Sequence, residues 1–251
     1  MIRARKLVAA VVAVVVLLVA VTPASAADCG CTPPALGPGW YGSGDQGDWS
    51  GGAHVVSAPA LVEAADVWLF GDSLTVDSAG AFAIDMYNEF GVLVASNGWS
   101  GRTTRPTVDV LAEWLALYGP PRLVVMAAGT NDIYGPSPFA GPPMVANQVD
   151  RVMGLVGPSV PVVWVEVHIS RWAQPPNVQV SDQRNGAWVN TQLWEATSRH
   201  PGLSIAPWAR TLAVKQTRVL THLVDGVHLS DAGRVARNDL LRFEVARRLG
   251  L

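Results

Sequence analysis

Five residues in this chain have the types that ester chemistry requires. They are Ser73, Gly101, Asn131, Asp225 and His228, and they lie in four short blocks: "GDSLT", "SGRTT", "GTND" and "DGVH". Cleaving an ester needs a nucleophile, a base, a group that orients the base, and donors for the oxyanion. Ser73 offers a hydroxyl. His228 offers a base whose ordinary pKa lies near neutrality. Asp225, three residues earlier, can bind the far ring nitrogen and fix its tautomer. The backbone N–H groups of Ser73 and Gly101 and the side-chain amide of Asn131 are candidate oxyanion donors; Gly98 is an alternative to Gly101 at the second block. Taken singly, Ser73 reads as a turn or cap residue and His228 as a solvated loop histidine.

What unites the blocks is where they fall among the elements. Short apolar runs rich in Val, Leu and Ile alternate with segments of helical length. Strands are expected over 66–70, 92–96, 123–128, 160–169 and 203–208. Helices are expected over 79–90, 107–118, 144–156, 183–199 and 230–249. Continuous apolar strands alternating with helices indicate a parallel sheet covered on both faces. Ligands of such a sheet bind beyond the carboxyl ends of its strands. Ser73, Gly101 and Asn131 each follow a strand, and His228 precedes the last helix, so the topology gathers all of them on one rim.

In that order, the four blocks resemble those of the GDSL/SGNH hydrolase family, and the resemblance extends from about Asp66 to the C-terminus. It implies a flavodoxin-like, three-layer α/β/α sandwich with a mainly parallel, five-stranded sheet. By the same resemblance Ser73 is the nucleophile, Asp225 and His228 complete the triad, and Ser73, Gly101 and Asn131 form the oxyanion hole. Two positions depart from the family's habit: Asp77 stands where a glycine is common, and Arg102 where a small or acidic residue is common. The closing blocks also resemble the extracytoplasmic hydrolase-like domains of membrane acyltransferases. Transfer of an acyl group to a glycan is therefore an alternative to hydrolysis, as is a lipase or lysophospholipase activity. A binding module that has lost catalysis is the alternative from outside enzymology.

Other residues bear on the substrate. Trp99, His168 and Trp172 fall in or beside rim loops and are candidate substrate-lining groups. Trp68, Trp164, Trp114, Trp188 and Trp194 fall within elements and are expected in the core. Asp132 and Asp72 are expected to fix loops through bonds to backbone. The segments 133–143 and 170–182 are proline-rich, hence stiff, and offer no long apolar surface. They favour short acyl groups, acetyl above all, on a small molecule or a glycan.

Composition bounds the remaining questions. The chain has 251 residues, 49% of them hydrophobic and 15% charged, which suits a folded domain with a large core. Arg3, Arg5 and Lys6 precede an apolar run from Leu7 to Val21 and then "ASA" at 24–26, the pattern of a secretory signal peptide cleaved near Ala26. The run is shorter than the roughly 20 residues of a membrane span, so no span is expected after cleavage and the protein is expected outside the cell. Removing residues 1–26 takes away those three bases and no acid, leaving 15 basic and 20 acidic residues. Such a balance lacks the basic patch that nucleic acid would want. Residues 27–62 read as a Gly/Pro-rich arm and 63–251 as the hydrolase domain. Cys29 and Cys31 read as a local bridge or an intermolecular contact. No histidine shows metal-ligand spacing, so neither metal nor organic cofactor is expected.

Overall fold

The computed structural model describes residues 52–133 and 144–251, with the side chains of 144–146 left aside. The signal-peptide reading, the cysteines, Trp40, Trp49 and most of the segment 133–143 lie outside the described residues.

Among the described residues, six strands form one sheet in the order β1-β3-β2-β4-β5-β6. They are β1 (His54–Val56), β2 (Val67–Gly71), β3 (Val94–Trp99), β4 (Leu123–Ala127), β5 (Val162–Val165) and β6 (Leu203–Ala206). Strands β2 to β6 pair in parallel, and β1 adds antiparallel to β3, with His54 opposite Trp99. The five parallel strands are those the sequence predicts. The sixth, β1, lies in the span read as an arm. Three residues at a sheet edge carry no legible period, which is why sequence patterning passes over it.

Helices fill both faces. They are α1 (Pro59–Ala64), α2 (Ser73–Phe90), α3 (Thr104–Tyr118), α4 (Met144–Val156), α5 (Pro176–Arg199), α6 (Trp208–Ala213), α7 (Gln216–His222) and α8 (Asp231–Leu249). Side chains alternate along each strand and so divide the core in two. Trp68 and Phe70 of β2 face one way with Val124, Met126 and Trp164, against α3, α4 and α5. Val67 and Leu69 face the other way with Leu123, Val125 and Val163, against α2, α6 and α8. Trp68 and Trp164 are buried and their indoles donate to the carbonyls of Val62 and Ala128. Each such fully buried large side chain contributes roughly 1.5–3 kcal/mol.

The element boundaries differ from the pattern-based ones in instructive ways. Helix α2 begins at Ser73 instead of residue 79, because Asp72 caps it by accepting from Leu74 N at 3.1 Å. The cap role thus falls to Asp72 and leaves Ser73 as the first helical residue. Helix α5 begins at Pro176 instead of residue 183, so half of the proline-rich segment 170–182 is helical. A proline in the first turn loses no helix bond there. Strand β5 stops at Val165, four residues earlier than its apolar run.

Candidate active site

The first three blocks leave the carboxyl ends of β2, β3 and β4, which are neighbours in the sheet, and the fourth folds over beside them. At the end of β2, Ser73 Oγ lies 3.2 Å from His228 Nε2. On the other side of the ring, His228 Nδ1 lies 2.7 Å from Asp225 Oδ2. The second Asp225 oxygen accepts from the backbone N–H groups of Val227 and His228, both at 2.8 Å. A hydroxyl, an imidazole and a carboxylate therefore stand in one line. Residues 155 positions apart in sequence meet there, as the rim argument requires.

The loop that carries Asp225 and His228 is braced at several points. Leu223 and Leu229 form an antiparallel bridge, and Val224 N donates to His228 O at 2.8 Å. Ser230 caps α8 by accepting from Gly233 N and donates to Thr221 O. Gly226 has φ +91°, and a Cβ there would sit 2.4 Å from Ser170 O, so only glycine permits the approach. Ser170 N in turn donates to Gly226 O at 2.9 Å. Arg171, the next residue, grips the buried Asp182 of α5 with two bonds of 2.7 and 2.8 Å. The segment after β5 is thus fastened to α5 and supports the histidine loop.

The electrostatics follow from this geometry. Burial alone would raise the Asp225 carboxyl, but the hydrogen bond and charge of His228 and the two backbone N–H groups hold it at about 2. For His228, burial would lower the imidazole; the bond and charge of Asp225, with Asp77 and Asp72 behind it, raise it above its ordinary value instead. An imidazole so placed can take a proton from Ser73 while Asp225 stays ionised.

The candidate donors follow the ends of three neighbouring strands. Ser73 N–H, in the first turn of α2, has no helical carbonyl to bond. Gly101 sits in the turn beyond β3 with φ +80°, a conformation that favours glycine. Gly98, the alternative, lies within β3 opposite Gly71 and Val55. Asn131 is in a short 3₁₀ turn, Thr130–Asp132, and its Nδ2 donates to Arg102 O at 3.1 Å. That bond uses one amide hydrogen and fixes the direction of the other.

Arg102 and Asp132 organise this side of the rim. Arg102 is fully buried, and its guanidinium donates to Asn97 Oδ1, Asn97 O and Gly71 O at 2.7, 2.6 and 3.0 Å. It ties the ends of β2 and β3 together while its own carbonyl orients Asn131. The sequence marks it only as a departure; an arginine in a chain of low charge, beside a tight turn, was the available signal. Asp132 caps α3 from another loop, accepting from Thr104 N at 2.9 Å and Thr104 Oγ1 at 2.7 Å. Burial raises its carboxyl to about 6 despite those bonds. The expected backbone-fixing role of Asp132 is borne out, on α3.

The candidate lining residues are more dispersed. Trp99 stacks on His54 of β1, with ring centroids 4.2 Å apart and planes at 15°. His168 is partly buried, with Nε2 3.2 Å from Ser170 Oγ, and desolvation lowers it to about 4. Trp172 is 38% exposed at the surface of the loop that follows. Among the described residues no group of three or more His, Cys, Asp or Glu could hold a metal ion. No described helix is long and apolar enough to cross a membrane.

A doubly covered parallel sheet with a serine–histidine–aspartate line at its carboxyl rim defines the class of serine-hydrolase-like α/β proteins. Residues 69–236 match the GDSL-like lipase/acylhydrolase family, and the chain belongs to that family, whose members are carboxylic ester hydrolases. No curated protein matches the chain. Solved structures that resemble it include a lipase/acylhydrolase from Enterococcus faecalis, at 20% identity over 72% of this chain and 95% of that one, with TM-score 0.59. Another is the C-terminal catalytic domain of peptidoglycan O-acetyltransferase A from Streptococcus pneumoniae, at 15% identity over 74% and 93%, TM-score 0.55. A third is an acetyl xylan esterase from Geobacillus stearothermophilus, at 18% identity over 74% and 94%, TM-score 0.50. These likenesses concern the fold.

Proposed function

We propose that the protein is a secreted serine esterase that removes short acyl groups, acetyl above all, through a Ser73–His228–Asp225 triad and an acyl-enzyme. The observation that carries this reading is the unbroken line from Ser73 Oγ to His228 at 3.2 Å and on to Asp225 at 2.7 Å. Ser73 Oγ attacks the acyl carbon as His228 Nε2 takes its proton. Asp225 holds the ring's tautomer and stabilises its cation. The tetrahedral oxyanion accepts from Ser73 N–H, Gly101 N–H and the free amide hydrogen of Asn131. His228 gives the proton to the leaving alcohol, then activates the water that releases the acyl group. None of these steps calls on a metal or an organic cofactor.

Support for a short acyl group comes from the stiff wall beside the rim, held by Arg171 and Asp182, and from the fold shared with an acetyl xylan esterase. The fold shared with a peptidoglycan O-acetyltransferase domain favours a second reading, in which a glycan hydroxyl replaces water in the last step. Secretion rests on the basic, apolar and small-residue order of residues 1–26.

The test is a panel of p-nitrophenyl esters of increasing chain length, run beside acetylated polysaccharides and free glycan acceptors. Acetyl and butyryl esters turn over fastest, and Ser73→Ala loses at least about 10³-fold in kcat. Wild-type rates in Ser73→Ala sink the triad; a preference for long chains sinks the short-acyl reading; acylated glycan as main product favours transfer.

A further inference from the structure

We propose that Asp77 is a specificity-determining residue at the mouth of this site, selecting neutral and cationic esters against anionic ones. The inference rests on the esterase reading and adds to it the charge class of the substrate.

Asp77 lies four residues after Ser73 on α2, and residues at that spacing share one face of a helix, a turn apart. Ser73 is buried and Asp77 is exposed, so the face passes from the reacting hydroxyl to solvent within that turn. The charged groups around its carboxyl are His228, Arg234, Arg237 and Asp225. Both arginines act on it through charge, and neither bonds it. Arg237 is fully buried and donates to Ser78 Oγ, and Arg234 is paired with Asp231. Among the described residues no hydrogen bond or ion pair holds Asp77.

The carboxylate is exposed, though its surroundings desolvate it in part and so raise it. It has no capping or bridging duty that would explain it, unlike Asp72, Asp132 and Asp182, each held by hydrogen bonds. What remains is its field at the mouth. Every acyl or alcohol group that approaches Ser73 along this side enters that field, and the effect reaches His228 as well, where Asp77 is among the groups that raise the imidazole. Besides Asp77, the groups that act on that imidazole are Asp225 on its own loop and Asp72 at the head of α2; Arg234 and Arg237 on α8 act on Asp77.

The experiment uses three p-nitrophenyl esters with one leaving group: acetate (neutral), trimethylglycinate (cationic) and hemisuccinate (anionic). Their kcat/KM values are measured at about pH 8 and low ionic strength for wild type, Asp77→Asn and Asp77→Gly. Comparing ratios between variants cancels the intrinsic reactivity of each ester. The cationic-to-neutral ratio is expected to fall about three- to tenfold in both variants, and the anionic-to-neutral ratio to rise as much. About 0.5 M salt reproduces the change in wild type and does little to the variants. Coincident ratios in wild type and variants, with the neutral ester still hydrolysed, overturn the role of Asp77 and leave the esterase reading standing. No hydrolysis of any ester above the Ser73→Ala background removes both.

Discussion

The two ends of the sheet treat polar residues in opposite ways, although α2 and α8 border both. At the rim where these helices begin, Ser73, Ser78, Arg237 and Asn238 are buried, and Arg102 and Asp132 are buried nearby. Each is held by neighbours from distant parts of the chain: Asn238 Nδ2 donates to Ser78 O across 160 positions. Where the same helices end, a groove of about 440 Å³ is lined by Glu89, Phe90, Asp239, Arg242, Phe243 and Arg247 among others. There Arg242, half-buried, meets the exposed Glu89 at 3.0 Å and Asp239 at 2.9 Å. Burying a polar group costs free energy that only well-aligned partners offset. The rim bears that cost and gains fixed directions for its donors and acceptors. The far groove avoids the cost, and its ion pairs link α8 to α2 only through side chains that reach solvent.

This contrast can be broken by substitution at each end. At the rim, Asn131→Ala removes one candidate oxyanion donor and is expected to lower kcat by about 10²–10³-fold with little change in KM. Steady-state kinetics on a short ester checks this; an unchanged kcat would remove Asn131 from the oxyanion site. At the far end, Arg242→Ala breaks exposed pairs and is expected to cost no more than about 1 kcal/mol of stability, with kinetics unaltered. Thermal and denaturant unfolding read the first effect. A large loss of activity in Arg242→Ala would mean that the two ends are coupled, against the contrast.

The same contrast separates what sequence reading reaches from what it misses. The parallel strands were legible because both their faces are buried, so Val67–Phe70 and Leu123–Ala127 are apolar without interruption. The line of Ser73, Asp225 and His228 was legible because topology alone sends every strand's carboxyl end to one rim. Edge strand β1 was not, because it spans only three residues, with Val55 alone turned to the core. The starts of α2 and α5 were missed where capping and proline geometry, and not periodicity, set the boundary. Helices α6 and α7 are six and seven residues long, too short for a stripe to emerge. Arg102 was underrated because its role lies in three contacts to backbone and Asn97, and no spacing rule encodes contacts between loops. The stack of Trp99 on His54 escaped for the same reason: it needs β1 in place.

The account turns on Ser73 being a hydroxyl made reactive by an imidazole that Asp225 orients. The most direct measurement is the rate at which a neutral fluorophosphonate labels Ser73, located by peptide mass, as a function of pH. His228 must be neutral to accept the proton, and its surroundings raise it above the ordinary histidine value, so the neutral fraction grows as pH rises through that raised value. The account predicts labelling at Ser73 whose rate climbs with pH, with a midpoint above about 6.5. Absence of label at Ser73, or a rate that is flat from about pH 5 to 8, would contradict it.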